Sequence, residues 1–598
     1  MKTYYPVRIP GFLLIILLII PASLFLSCNK MDVSYFADRP QLTGQDLGSK
    51  VFSSVSGFVT NENDDPVAGA KVALGNITTT TDMYGYFEAN DAQVSANAAV
   101  VTVSKKGYFN GTKTYLAAAN NDAFFRIKLI PKTIAGSIDA TIGGSVKLNN
   151  GMRISFPANG IIHASGGAAY NGTVNVAAFW INPVADDLNK ILPGDQRGIT
   201  KNGEMKGLVT YGMAAVELTD AGGELLQIAP GKNATITMPV PTEILFRAPA
   251  SIPLWYFDEA IGLWKEQGIA QKVGNTYIGD VSHFSIWNYD DSESFVDLDF
   301  TAVNASGAPM KNALVKISYL NDPNNARFTY TDAHGHSAGI VPGNADLRIE
   351  IMGDEACGTS VYNQTFSTAA NNISLGTITV NASSGTATVS GTLTDCSNNP
   401  VNNGSIIMQK NGQYYRFPVN KNGAYHFSTL LCNTTATVNL IAFNNSGAVY
   451  NAPAPYTLTA GTNTNVDLQA CGFSSNQFIN YTINGISYNY SYPAASFAPV
   501  TPNAYFTFAV RNEINNEEAG FRFSAANFGA FASEPLSYFT ASQLGDPVSM
   551  VSPILVNITE DGTNDQVVAG NFSGVFRGSA PGNRLYTISC SFRIRCQL

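Results

Sequence analysis

Val55-Ser-Gly-Phe-Val59, Asp65-Pro-Val-Ala-Gly-Ala-Lys-Val72 and Thr80-Thr-Asp-Met-Tyr-Gly-Tyr-Phe87 follow one another closely, and the same order returns twice. The second copy is Phe300-Thr-Ala-Val303, Gly307-Ala-Pro-Met-Lys-Asn-Ala-Leu-Val315 and Tyr330-Thr-Asp-Ala-His-Gly-His336. The third is Val389-Ser-Gly-Thr-Leu393, Asn399-Pro-Val-Asn-Asn-Gly-Ser-Ile406 and Asn420-Lys-Asn-Gly-Ala-Tyr425. The first run of each copy alternates as a strand with one buried face. The Pro-containing cluster turns the chain, because Pro pre-sets φ, and the next run returns antiparallel. Thr-Asp-x-x-Gly turns it again, with Asp capping its own turn and Gly free to take φ > 0. At 598 residues the chain is too long for one core. The pattern therefore predicts an all-β protein of tandem antiparallel β-sandwich domains arranged in series.

Val-x-Gly-x-Val, Asp/Gly-x-Pro-Val-x-x-Ala-x-Val and Thr-Asp-x-x-Gly-x-Phe together resemble the carboxypeptidase regulatory-like (transthyretin-like) domain over residues 51–131. The likeness recurs over 296–380 and 382–472, where the third copy lacks the Thr-Asp pair. The resemblance implies seven- or eight-stranded sandwiches. In carboxypeptidases this domain is an accessory beside the enzyme, and the chain shows no peptidase domain next to it. Gly144-Ser-Val-Lys-Leu148 and Gly151-Met-Arg-Ile-Ser-Phe-Pro-Ala-Asn-Gly160 resemble the opening of the ZU-five-type β-sandwich. Pro253-Leu-Trp-Tyr-Phe-Asp258 and Val281-Ser-His-Phe-Ser-Ile-Trp287 resemble the matching region of the cartilage intermediate layer protein family, which implies an interaction module. The resulting division is a leader at 1–27, a linker at 28–50, then domains at 51–131, 132–292, 293–381, 382–472 and 473–598. The last has a general likeness to C-terminal sandwiches of Bacteroidetes lipoproteins. One short helix is expected at Val184-Ala-Asp-Asp-Leu-Asn-Lys-Ile191, stopped by Pro193-Gly194.

The N-terminus reads as an export signal. Lys2 and Arg8 are its basic region, and the apolar run from Gly11 to Ile20 is too short for a relaxed membrane span. Ser23-Leu-Phe-Leu-Ser-Cys28 resembles a bacterial lipobox, with Phe25 at the position usually held by Leu. The resemblance implies that Cys28 becomes the mature N-terminus and carries a diacylglyceryl thioether and an amide-linked acyl chain. Three chains exceed the roughly two needed for stable anchoring, so the expected location is the outer membrane, on its surface or periplasmic face.

Six further cysteines fit export: Cys357, Cys396, Cys432, Cys471, Cys590 and Cys596. Six allow 15 connectivities. The first four are the candidates for disulfides. Cys590 and Cys596 share the inner face of one alternating strand, about 20 Å apart at ~3.3 Å per residue. A disulfide needs Cα atoms within about 7 Å, so these two should not pair.

Charged residues are 13% of the chain, about half the usual ~25%. The net charge is −9, with 35 Lys and Arg spread thinly, which argues against nucleic acid as a partner. No G-x-S-x-G elbow, H-E-x-x-H or phosphate loop is present. No catalytic residue, metal ligand or cofactor is assigned. His334-Gly-His336 is the closest histidine pair but sits at a predicted turn, and His283 reads as a half-buried strand residue. The acidic runs Glu62–Asp65 and Asp290–Glu293 read as a repeat turn and an interdomain linker. If 258–261 is a hairpin loop, Trp255 and Trp264 sit opposite each other, either as a packed cross-strand pair or as an aromatic platform for sugar rings or a partner. The expected function is a non-catalytic envelope lipoprotein presenting sandwich modules for adhesion or for binding an extracellular protein. The alternative is a glycan-binding accessory protein of a nutrient-uptake system.

Overall fold

The computed structural model describes residues 47–595 except 119–121, 355–357, 382–384, 446–448, 452, 464, 472, 475–477, 492–493, 501–502, 513–516, 525–532, 562–566 and 580–583. The leader, Cys28, Cys357 and Cys596 lie outside the described residues. Among those described, strands make up nearly all regular structure. The expected helix is a single turn, α1 (Leu188–Ile191), and no helix is long and apolar enough to cross a membrane.

The first repeat forms β1 (Lys50–Thr60), β2 (Lys71–Leu74), β3 (Ile77–Thr80), β4 (Tyr86–Ser95), β5 (Ala99–Ser104), β6 (Gly111–Tyr115) and β7 (Asp122–Lys128). They make two sheets, β4-β1-β7 and β3-β2-β5-β6. Odd-numbered side chains of β1, β4 and β7 (Val55, Val59, Phe87, Ile127) meet Val72, Val101 and Val103 in the core between the sheets. That alternation was readable in the sequence. Strand direction was not: β1 pairs with β7 in parallel, Gly57 opposite Phe125. The second repeat places Phe295–Asn304 in the same way between antiparallel His336–Pro342 and parallel Ile373–Val380. In the third, Thr386–Thr394 lies between antiparallel Ala424–Leu430 and the short parallel strands Gly461–Asn463 and Leu468–Gln469.

The repeated turns share atomic detail. Asp82 Oδ1 accepts from the N–H groups of Tyr84 and Tyr86. Asp332 does the same for His334 and His336. Asn420 does it for Asn422 and Ala424, so the third copy makes the turn with an amide oxygen instead of a carboxylate. The Pro-containing turns are equally alike. Asn61, Asn304 and Asp395 each accept from the N–H groups two and four residues on.

Between the first and second repeats, residues 134–293 form one thirteen-stranded sheet. Trp287, Tyr289 and Tyr277 are buried in one of its cores. Trp255, Trp264 and Leu208 are buried in another, which also takes Phe109 and Ile130 from the first repeat. The final segment, 478–595, is a ten-stranded sheet. It curls around its own aromatic core, with Phe508 and Phe592 at 5.3 Å and Tyr481 and Phe539 at 5.5 Å. Asp290–Glu293 is not a linker. It belongs to the strand Ile286–Glu293, and only Ser294 separates that strand from Phe295–Asn304.

Cys396 and Cys471 are disulfide-bonded. Cys432 is also in a disulfide. Cys590 is a buried free thiol.

The units follow in series along the chain, and the third repeat returns in space to the first. Tyr84 packs on Tyr414 at 5.3 Å and on Phe443 at 6.5 Å. The second repeat also reaches the first, through Phe124 and Tyr330 at 5.5 Å. Between the first repeat and the thirteen-stranded sheet, Lys113 is buried and its Nζ donates to the carbonyls of Asn189 and Leu192 at the end of α1. Burial brings its pKa down from 10.5 to about 7. The unfolded lysine keeps its ordinary value, so between those limits the unfolded chain binds more protons than the folded one. Stability therefore rises with pH across that window, and the full penalty of burying the charge is present below about 7. Raised tyrosine pKa values, Tyr115 among them, oppose this trend above about 10. Lys113→Met should flatten the rise by up to ~1.4 kcal/mol per pH unit. Urea unfolding followed by tryptophan fluorescence at pH 7, 8 and 9 measures it, because all four tryptophans lie in 134–293.

Candidate functional site

Of the two sequence readings of Trp255 and Trp264, packed pair or aromatic platform, the structure excludes the platform. Both are fully buried, at 0% exposure, and neither offers a platform to a ligand. They do not face one another either: Trp255 lies opposite Glu266, and Trp264 opposite Phe257. The hairpin turns one residue later than expected. Asp258 is the last strand residue, its carbonyl accepts from Gly262 N–H, and Gly262 takes φ +67°. The pair does mediate an interaction, but an internal one with Phe109 and Ile130.

The other sequence candidates are dispersed. His334 and His336 sit on the Asp332 turn. His283 stands half-buried in a bend, its ring 4.8 Å from Tyr256 and 5.0 Å from Trp287. Asp290 is fully buried, and burial pushes its carboxyl well above the usual range. Glu293 is bound to Arg327 at 2.7 Å and to the Tyr319 hydroxyl at 2.6 Å. Asp64 pairs with Lys128, which also holds Asp187. Among the described residues no group of three or more His, Cys, Asp or Glu could hold a metal ion.

What the fold does assemble is a cleft of about 700 Å³ where the three repeats meet. Its first wall is the outer face of β4-β1-β7. Since odd positions there enter the core, the even ones face out: Ser54, Ser56 and Phe58, with Tyr86, Glu88 and Asn90 beside them and Phe124 and Arg126 on the other flank. Its second wall is the edge of the third-repeat sandwich, where Gln413–Pro418 and Ala424–Leu430 come together. Phe417 and Phe427 stack there at 3.8 Å with planes 3° apart. Lys410 ties the same edge, donating to Thr429 Oγ1 and the Leu430 carbonyl. Loop residues 308–314 of the second repeat complete the lining.

The walls are fixed to one another. Arg416 donates to Asp82 at 2.7 Å, to Ser405 and to Asn445, and lies 4.6 Å over the Tyr86 ring. Burial holds the Asp82 carboxyl above its usual range, although Arg416 pulls it the other way. Arg126 donates to the Tyr414 carbonyl and lies over Phe58 and Tyr415, at 5.1 and 4.9 Å. Such cation–ring contacts are worth ~0.5–2 kcal/mol each. The face left to solvent mixes hydroxyl and amide groups with the charged side chains of Glu88 and Lys311. Glu88 is pre-oriented there by Tyr86 Oη at 3.1 Å and Asn90 Nδ2 at 2.9 Å. Such groups hydrogen-bond and stack.

Sequence reasoning missed this site, though one signal was present. Gln413-Tyr-Tyr-Arg-Phe-Pro418 carries aromatics on both faces of a strand. A sandwich strand buries only one face in its own core, so the second had to meet another unit.

No family model matches the chain. Over 227 residues it is 26% identical to cartilage intermediate layer protein 2 of Mus musculus, a stretch covering 36% of this chain. The chain spans only 19% of that relative's length. That similarity agrees with the family resemblance read from the tryptophan-rich segment. Among solved structures, a streptococcal ancillary pilin aligns over 40% of this chain and 98% of its own, at 10% identity and TM-score 0.14. The shaft pilin spaA of Lactobacillus rhamnosus GG aligns over 30% and 99%, at 11% identity and TM-score 0.18. The Bacillus anthracis TIE protein aligns over 84% and 69%, at 9% identity and TM-score 0.13. At these scores the likenesses carry no argument about function.

Proposed function

We propose that this chain is a non-catalytic, lipid-anchored protein of the bacterial outer membrane that binds an extracellular ligand in the cleft between its three repeats. The observation that carries the reading is the cleft itself. Its volume falls within the ~300–1,000 Å³ typical of ligand sites, and its walls come from segments far apart in sequence that buried contacts hold in place. A preformed site of this kind spends little affinity on ordering. Tethering by Cys28 would present it from the membrane.

Cys28→Ala should move the chain from the membrane fraction to the soluble fraction, and mass spectrometry of the wild type should find an acylated Cys28 at the mature N-terminus. A wild-type chain that begins elsewhere or lacks lipid overturns the anchor.

A further inference from the structure

We propose that the ligand of the cleft is an uncharged oligosaccharide segment, seated with one sugar ring on Phe417 and its hydroxyls on Ser54, Ser56 and Asn90. The inference rests on the reading of the cleft as the recognition site and names what that site takes. Three observations support it.

The first is the ring. Phe417 is half-buried and lines the cleft, and Phe427 covers one of its faces at 3.8 Å. That stack and the third-repeat core fix the ring, and the part of it that lines the cleft is apolar. The C–H face of a pyranose matches such a surface.

The second is the polar wall. Outward-facing side chains recur every two residues along a strand, roughly 6–7 Å apart, with the next strand ~4.8 Å away. Ser54, Ser56 and Asn90 therefore present hydroxyl and amide groups on a fixed grid. Each can both donate and accept, as can a sugar hydroxyl. An apolar ligand would strip these groups of water and return no hydrogen bond.

The third is the state of the cations. Arg126, Lys410 and Arg416 line the cleft and each donates to a protein acceptor, while Lys311 at the exposed rim is offset by the carboxylate of Glu88 on the same lining. Arg126 holds the Tyr414 carbonyl, Lys410 the Leu430 carbonyl, and Arg416 holds Asp82. An anionic ligand drawing on Arg126 or Arg416 would compete with the contacts that join the walls and would face the Glu88 carboxylate. A neutral polyhydroxyl ligand leaves them in place.

The test screens the full chain against an array of uncharged and acidic oligosaccharides, then measures hits by calorimetry. Ser56→Trp fills the cleft from a half-buried strand position that faces into it. Phe417→Leu removes the ring and keeps its apolar bulk. Circular dichroism and thermal melting verify that both variants fold. Binding of uncharged oligosaccharides, weakened at least 10-fold by Ser56→Trp and about 3–10-fold by Phe417→Leu, is the expected result. If uncharged sugars bind and Ser56→Trp changes nothing, the cleft is not the site and both readings fall. If only acidic sugars or a peptide ligand bind, and Ser56→Trp abolishes it, the cleft stands and the sugar assignment fails. Absence of binding to any array member or to envelope and medium extracts overturns both.

Discussion

Gly85→Ala is expected to destabilise the first repeat by about 3 kcal/mol, and Gly107→Ala by only about 1 kcal/mol. Both glycines have positive φ, +72° and +85°, so both substitutions incur the left-handed strain of an L-residue. They differ in surroundings. A Cβ on Gly85 would lie 2.3 Å from the Val59 carbonyl oxygen, and one on Gly107 would meet nothing within 4 Å. The added methyl would also disturb a bond the turn depends on, since Val59 N–H donates to the Gly85 carbonyl at 2.8 Å. The other copies carry the same arrangement. Gly335 would meet the Ala302 carbonyl at 2.3 Å, and Gly423 the Leu393 carbonyl at 2.6 Å. Denaturant melts of the two variants, with hydrogen exchange to localise the effect, should separate them by about 2 kcal/mol. Equal losses would mean that backbone strain alone sets the cost and that the close approach to Val59 relaxes freely.

This glycine is also where sequence reading worked best. Thr-Asp-x-x-Gly states a turn chemistry that depends on four or five neighbouring residues, so it is legible without tertiary information. Strand alternation is local in the same sense, and it placed Val55, Val59 and Phe87 in the core. The failures concern what lies across space. Alternation says which face of β1 is buried and is silent on direction, so the parallel partner β7 could not be read. The Trp255–Trp264 hairpin failed by a single residue of turn, because Gly262 rather than Ile261 closes it. The deeper miss was the reason for so many aromatics. Trp255 and Trp264 on one unit, and Tyr414 on another, serve contacts between units. No single-domain pattern distinguishes such a residue from a ligand platform. The cleft as a whole was not legible for the same reason, since Ser56 and Phe417 come to line it together only when the third repeat folds back onto the first.

Removing the Cys396–Cys471 bond should have the larger effect, about 4 kcal/mol on the third repeat. The bond closes a loop of 75 residues, and the chain-entropy estimate for a loop of that size is roughly 4–4.5 kcal/mol. Its position sharpens the argument. Cys396 follows the first strand of the repeat, and Cys471 follows Leu468–Gln469, which pairs with that strand in parallel. The pairing is short, with Leu393 opposite Leu468 and Thr394 opposite Gln469, and Ala470 N–H adds one bond to the Thr394 carbonyl. Val466 N–H on the Ser390 carbonyl and Thr392 N–H and Oγ1 on the Asp467 carboxylate add to these rungs, and the covalent link supplies the loop-closure entropy on top of them. A sandwich of this size buries too little surface for a wide margin. A Cys396→Ser/Cys471→Ser double variant should therefore expose 386–474 to protease while β1–β7 stay protected. Cys590→Ser leaves the bond intact and serves as the control, with no change in that segment. Because the third repeat supplies Phe417 and the edge that Lys410 ties, the double variant should also lose the cleft's second wall. Ligand affinity should then fall together with protease resistance in the double variant. If the segment in the double variant proves as resistant as in the wild type, its packing on Tyr84 and Asp82 supplies the closure instead, and the junction between units, rather than the disulfide, stabilises this part of the chain.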